Sequence, residues 1–156
     1  VSPDIEPSTG RLILRPWPAT DVSAVLAGER RAHWAPDFPA DGDRVIAGVI
    51  AESPAGQYQI IERETGLVVG STGLFWPPAD GAVEFGYGVV ASRRGCGYAT
   101  EAARALVAHA LTLPGVRTVR AEVELANPAS VRVLEKAGLT QEAADATTAR
   151  FSTGGS

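Results

Sequence analysis

The stretch Val89-Val90-Ala91-Ser92-Arg93-Arg94-Gly95-Cys96-Gly97-Tyr98-Ala99-Thr100-Glu101-Ala102 constrains this chain more than any other, because it runs from a strand through a glycine-rich turn straight into a helix. Gly95 and Gly97 can take backbone angles that other residues avoid and allow a ligand to approach closely. Successive N–H groups in such a turn converge on an anion, and the helix that starts there adds the positive end of its dipole. Arg93 and Arg94 add charge. A nucleotide reading is weaker, since the turn has neither a Gly-Lys-Ser/Thr for a Mg-nucleotide nor a Gly-x-Gly-x-x-Gly spacing. A pyrophosphate without a metal is the better ligand.

The flanking patterns place that turn in a fold. Arg11 to Arg15 alternates as a short strand, Pro16 and Pro18 break it, and Thr20-Asp21 can cap a helix running to about Gly28. Residues 29 to 40 predict an irregular loop with exposed aromatics, in which His33 and Trp34 either line a pocket or cover the core edge. Asp41 to Ser53 is helical, ended by Pro54-Ala55-Gly56. Three strands in meander order follow, Gln57 to Arg63, Leu67 to Trp76 and Ala82 to Ala91, with turns short enough to make neighbours antiparallel. Over 97–113, Ala99, Ala102, Ala103, Leu106, Val107, Ala110 and Leu111 form one helical stripe, off which His109 is expected at the surface. Arg117 to Leu125 alternates as a half-buried strand. Asn127 as N-cap, Pro128 at the first helical position and Gly138 at the end bracket a short helix. One more strand is expected near Thr147 to Ser152, then a frayed Gly-Gly-Ser end.

Length and composition narrow the classes. A chain of 156 residues suits a single domain spanning 1–156, and 45% hydrophobic with 21% charged residues is the balance of a globular protein. A net charge of −4 and a pI near 5.2 argue against a nucleic-acid partner. Cys96 is the sole cysteine and His33 and His109 are the only histidines, which disfavours a disulfide or a metal site. No apolar run nears the roughly 20 residues of a membrane span, and Val1 to Gly10 lacks a basic and an apolar leader region, so a cytoplasmic protein without a membrane partner is expected.

Arg94-Gly95-Cys96-Gly97-Tyr98-Ala99 resembles the Arg/Gln-x-x-Gly-x-Gly/Ala coenzyme A loop of the GNAT acetyltransferase superfamily. Thr9-Gly10-Arg11-Leu12-Ile13-Leu14-Arg15-Pro16, Glu84-Phe85-Gly86-Tyr87 and Asn127-Pro128-Ala129-Ser130-Val131-Arg132-Val133-Leu134-Glu135-Lys136-Ala137-Gly138-Leu139 extend the likeness to the ribosomal-protein N-terminal acetyltransferase (RimJ/RimL-like) branch over about residues 9 to 139. The resemblance implies an α/β fold: a mixed, mostly antiparallel six- or seven-stranded sheet with about four helices and two splayed central strands. It implies acetyl-CoA as cosubstrate and an amine acceptor, a small molecule or a protein N-terminus. Val89 and Val90 would then contact the pantetheine arm, Arg94, Gly95, Cys96, Gly97, Tyr98, Ala99 and Thr100 the pyrophosphate, and Asn127 would lie near the pantetheine.

Acylation of an amine needs a proton removed from nitrogen and one supplied to the leaving thiolate. Glu84 is the candidate base, on the strand face it would share with Gly86 and Gly88; Ser130, in the family's Asn-x-x-Ser pattern, is the candidate acid. Glu101 is read as a helix-start charge. The family often uses a tyrosine acid beyond the loop, and none follows Tyr98. It also continues through two final strands that wall the acceptor site, whereas this chain stops soon after Phe151, so either the pocket is open or a second subunit, as in a homodimer, completes it. The alternatives are an acyl-CoA-binding sensor without turnover and a nucleotide-dependent transferase.

Overall fold

Asp80 and Gly81, both with positive φ (53° and 79°), form the two-residue turn that sets the centre of the fold, because such a turn matches the twist of the strands it joins. It links β3 (Val68–Ala79) to β4 (Ala82–Val89), with Gly70 opposite Val89 and Ala79 opposite Ala82. The strand therefore continues through Pro77 and Pro78, which the sequence assigned to the turn, and the prolines fall where the register is interrupted between Phe75 and Ala79. This computed structural model describes residues 7–52 and 55–154. Pro54, the expected helix breaker, and the final two residues of the expected frayed end lie outside the described residues.

The other elements are β1 (Leu12–Pro16), α1 (Ala19–Ala27), α2 (Asp41–Glu52), β2 (Gln57–Glu62), a 3-10 turn at Ala91–Arg93, α3 (Tyr98–Ala110), β5 (Thr118–Glu124), α4 (Pro128–Lys136), β6 (Thr140–Ala144) and β7 (Thr148–Ser152). They build a seven-stranded sheet in the order β1-β2-β3-β4-β5-β7-β6, antiparallel throughout except between β4 and β5. Helices cover both faces: Gln59 of β2 bonds to α1 while its neighbour Tyr58 meets His109 of α3, and successive strand residues point to opposite faces. The α/β fold expected from the resemblance is observed.

β4 and β5 pair only through Ala82–Thr118, Val83–Val119 and Glu84–Arg120. From Phe85 onward β4 follows β3, whereas β5 pairs along Arg120 to Glu124 with β7, so the strands part. This is the expected splay, and it opens where β4 enters the glycine-rich turn.

Four expectations are corrected. The aromatics of residues 29–40 are not exposed: Trp34 and Phe38 are buried, with Phe38 packed 5.7 Å from Trp17 and 5.3 Å from Trp34 between ring centroids. Asp21 does not cap α1, whose N-cap is Pro18; its carboxylate turns inward and is 1% exposed. The burial expected at the end of α3 is reversed: His109 is half-buried, edge-on to Tyr58 at 6.4 Å, and Leu111, just past the helix, is exposed. The chain has both final strands, for β6 joins β7 beside β5. β6 was hidden because all five of its residues are exposed and carry no apolar alternation.

Candidate functional site

At the end of β4 the chain is fastened from several sides. The Val90 N–H donates to the Val69 carbonyl (2.9 Å), and the Ser92 N–H and hydroxyl donate to Asp37 (2.8 and 2.7 Å). Buried Glu62 accepts from the Arg93 guanidinium (2.9 Å) and the Tyr98 hydroxyl (2.7 Å). The hydrogen bond to that carboxylate, with burial, pushes the Tyr98 phenol up to about 12. Burial acts to raise Glu62, but bonds from Thr65, Tyr98 and Arg93 outweigh it and hold the carboxyl below its ordinary value. Arg93 is thus paired with Glu62 while still lining the first cleft, and Arg94 lines both clefts, its Nε donating to the Val89 carbonyl (3.1 Å).

Beyond it Gly95 and Gly97 take φ of 81° and 86°, and α3 begins at Gly97 with no side-chain cap. An added Cβ at Gly95 would meet nothing within 4 Å, so the turn is open on that side. Its other side is locked, since Arg11 donates to the Cys96 carbonyl (2.9 Å) and pairs with Glu101 at 2.7 Å, and Thr9 also donates to Glu101. Glu101 is accordingly a brace between the β1 entry and α3.

A cleft of about 490 Å³ opens over this turn, lined by Val89, Arg94, Gly95, Gly97, Tyr98, Ala99, Thr100, Asn127 and Ser130 among others. Two expected members are not in it. Val90 is 1% exposed with its N–H already bonded, and Cys96 faces outward, its thiol donating to the Arg93 carbonyl (3.0 Å). Asn127 caps α4, its Oδ1 accepting from the Ser130 N–H (3.2 Å).

A second cleft of about 350 Å³ lies between the start of α2 and strands β2, β3 and β4. Both clefts are lined by Tyr87, Gly88, Val89 and Arg94, so they meet where β4 leaves β5. Glu84 occupies the β4 face of Gly86 and Gly88, as alternation requires, but it is exposed, lies opposite Phe75 and Arg120 in the still-paired part of the strand, and is not a lining residue of either cleft. Ser130 lines the first cleft and its carbonyl accepts from the Tyr87 hydroxyl (3.4 Å). Burial pushes the Tyr87 phenol up.

Sequence reasoning missed Tyr87, Asp43 and Gln57. Tyr87 precedes the glycine-rich turn, in the Glu84-Phe85-Gly86-Tyr87 run of β4, rather than following it. Asp43 carried no signal beyond helix-start composition. Its carboxylate is buried, accepts from the Ser71 hydroxyl (2.5 Å) and the Ala40 N–H (2.8 Å), and is pushed up by burial against those bonds. Neither His33 nor Trp34 lines the second cleft; both donate to Asp21. Among the described residues no cluster of three or more His, Cys, Asp or Glu could hold a metal ion, and no helix is long and apolar enough to cross a membrane.

Comparison with known proteins matches residues 11–140 to the acetyltransferase (GNAT) domain family. An uncharacterized N-acetyltransferase p20 of Bacillus licheniformis is 28% identical over 100 residues, covering 64% of this chain and 56% of that protein, so the match spans little more than half the relative's length. A GNAT-family acetyltransferase from Bacillus anthracis superposes with a TM-score of 0.72 at 18% identity, covering 95% of this chain and 97% of that one. RimL, a ribosomal L7/L12 alpha-N-protein acetyltransferase solved in complex with coenzyme A, gives 0.68 at 19% identity, covering 94% and 95%. At those identities the two structures show a shared fold.

Proposed function

The chain belongs to the acetyltransferase (GNAT) family, and from that premise we propose that it moves an acetyl group from acetyl-CoA to a primary amine by direct attack, without a covalent enzyme intermediate. The observation that carries this is the pair of clefts meeting at Tyr87, Gly88, Val89 and Arg94 in the β4–β5 splay. One cleft suits a phosphate-bearing cosubstrate and the other an acceptor, and the two join at one strand edge.

The turn fits coenzyme A on its own chemistry. Gly95 is open where a side chain would block approach, the first turn of α3 has no side-chain cap, and Arg94 faces the cleft with a full positive charge. Arg94, Gly95 and Gly97 to Thr100 would hold the pyrophosphate, and the free edge of β4 at Val89, with Asn127 opposite, would flank the pantetheine arm. Acetyl-CoA supplies an activated acyl carbonyl when bound. Glu84, which lines neither cleft, would take the acceptor's proton only by relay through intervening water; Ser130, with Tyr87 beside it, supplies one to the departing sulfur. The C–N bond forms as the C–S bond breaks. With β7 and β6 beside β5, this chain itself supplies both final strands, and no second subunit is needed for them.

Calorimetric titration tests the reading. Coenzyme A and acetyl-CoA should bind the wild-type protein with about micromolar affinity, and an Arg94→Glu, Gly97→Glu double variant should lose that binding. Thiol release with an amine present completes the case; no binding to the wild type would end it, and binding without any thiol release would leave an acyl-CoA-binding module.

A further inference from the structure

The second cleft has an asymmetry that acetyl transfer alone does not require. Its lining holds one acid, Asp43, and one base, Arg94, with Arg94 at the junction and Asp43 on α2. Beside Asp43, Gln57 is 3% exposed; its Nε2 donates to the Leu74 carbonyl (2.9 Å), and its Oε1 is a buried acceptor with no partner. That amide is seated by Gly73, where an added Cβ would stand 1.9 Å from Oε1. A buried acceptor without a donor is costly, and a ligand that donates would remove the cost.

Asp43 also closes the first turn of α2 through the Ala40 N–H, and a capping carboxylate needs nothing more. Here, however, its other oxygen is engaged from the sheet by Ser71, and both of its hydrogen bonds come from neutral groups. Arg44, its neighbour on α2, directs a guanidinium nitrogen to the Pro39 carbonyl at 3.5 Å. Burial pushes the Asp43 carboxyl up against its two hydrogen bonds and the charge of Arg44, which makes no ion pair with it, and a cation brought into the cleft would add a direct countercharge.

We propose that Asp43 and Gln57 Oε1 form a cation subsite in the acceptor cleft, and that the acceptor is a short alkyl diamine anchored there by one ammonium while its other nitrogen reaches the β4 edge. The nitrogen paired with Asp43 is held as ammonium and has no lone pair for attack, so the reacting nitrogen must be a second one. Ser71 is paired with Gly88, which places the Asp43 contact about 5 Å, one strand spacing, from the junction. Ile46 and Phe75 give the cleft the apolar wall that methylenes need. The reacting end of this inference rests on the acetyltransferase reading; the cation subsite does not.

The test titrates 1,4-diaminobutane, butylamine and a neutral-side-chain dipeptide into the protein with and without coenzyme A. The diamine should bind about tenfold tighter than butylamine, and Asp43→Asn should remove most of that preference while coenzyme A affinity stays at the wild-type value. Equal affinity for diamine and monoamine, tighter binding of the dipeptide, or a preference that survives Asp43→Asn would each overturn the subsite. If Asp43→Asn loses coenzyme A binding through misfolding, Gln57→Met decides, since it removes Oε1 at similar volume: a reduced preference supports the subsite and an intact one overturns it. Diamine preference without coenzyme A binding in the wild type would defeat the acetyltransferase reading alone, and coenzyme A binding without that preference would defeat the subsite alone.

Discussion

Asp21 and Asp43 are both buried aspartates near the starts of helices, and their surroundings drive them in opposite directions. At Asp21 burial acts to raise the carboxyl, but donors from Gln59 (2.7 Å), His33 (2.8 Å) and Trp34 (3.1 Å) together outweigh it and hold it below its ordinary value. At Asp43 burial wins. The sign of each contribution to stability follows. A carboxyl lowered in the fold contributes stability above its unfolded value that is lost as pH falls through the folded one; a raised carboxyl contributes most at low pH and loses it as pH rises through the folded value. Asp21→Ala leaves the buried Gln59 and Trp34 donors without an acceptor and should cost about 3 kcal/mol at pH 7, at roughly 1–3 kcal/mol per orphaned group. Urea unfolding from pH 3 to 8 checks both: the deficit of Asp21→Ala should shrink toward pH 3, whereas Asp43→Asn should gain on the wild type as pH rises. A deficit of Asp21→Ala that is flat with pH would contradict the role given to the ionised Asp21 carboxylate as acceptor for Gln59, His33 and Trp34. Neither aspartate's role could be read from the sequence, where each looked only like a helix-start residue.

Among the elements, β4 is the one that lines both clefts, and its close fit to β3 depends on glycines of both strands. An added Cβ at Gly70 would stand 2.2 Å from the Gly88 carbonyl, a backbone atom that cannot move without shifting the cleft junction. Gly88 itself has nothing within 4 Å of the same position. Gly70→Ala should therefore destabilise the fold by about 1–3 kcal/mol, the usual cost of overpacking, and weaken coenzyme A binding. Gly88→Ala should leave the melting temperature unchanged and impair thiol release. Thermal melts with calorimetry separate the two, and a stable Gly70→Ala with wild-type affinity would show that β3 and β4 are not held so closely. The turn after β4 and the stripe of α3 were legible because glycine spacing and helical period are local signals. Residues 29–40 were misjudged because an irregular loop has no period to say that Trp34 and Phe38 point inward.

For the whole molecule, the splay divides the sheet into β1-β2-β3-β4 and β5-β7-β6, joined through three residue pairs near the β3–β4 turn. β2 is buried along its full length between the two helical layers, whereas β6 is an outer edge strand with five exposed residues. Amide hydrogen exchange should thus find β2 and β3 protected longest and β6 exchanging first, because edge strands open without disturbing the core. Uniform protection across the sheet would mean that the two parts unfold as one.

Taken by itself, the sequence determined the elements from β1 to α4, the glycine-rich turn between β4 and α3, the N-capped helix at Asn127 and the family, since each is written in residues close together along the chain. The tertiary structure alone decided that the two clefts meet at Tyr87 to Val89, that Arg93 is paired with Glu62 while Arg94 lines both clefts, and that Asp43 and Gln57 share a pocket wall. The physical reason is that sheet pairing brings together residues distant along the chain, as β4 lies between β3 and the parting β5, and only that juxtaposition shows which charges find partners and which buried acceptors do not.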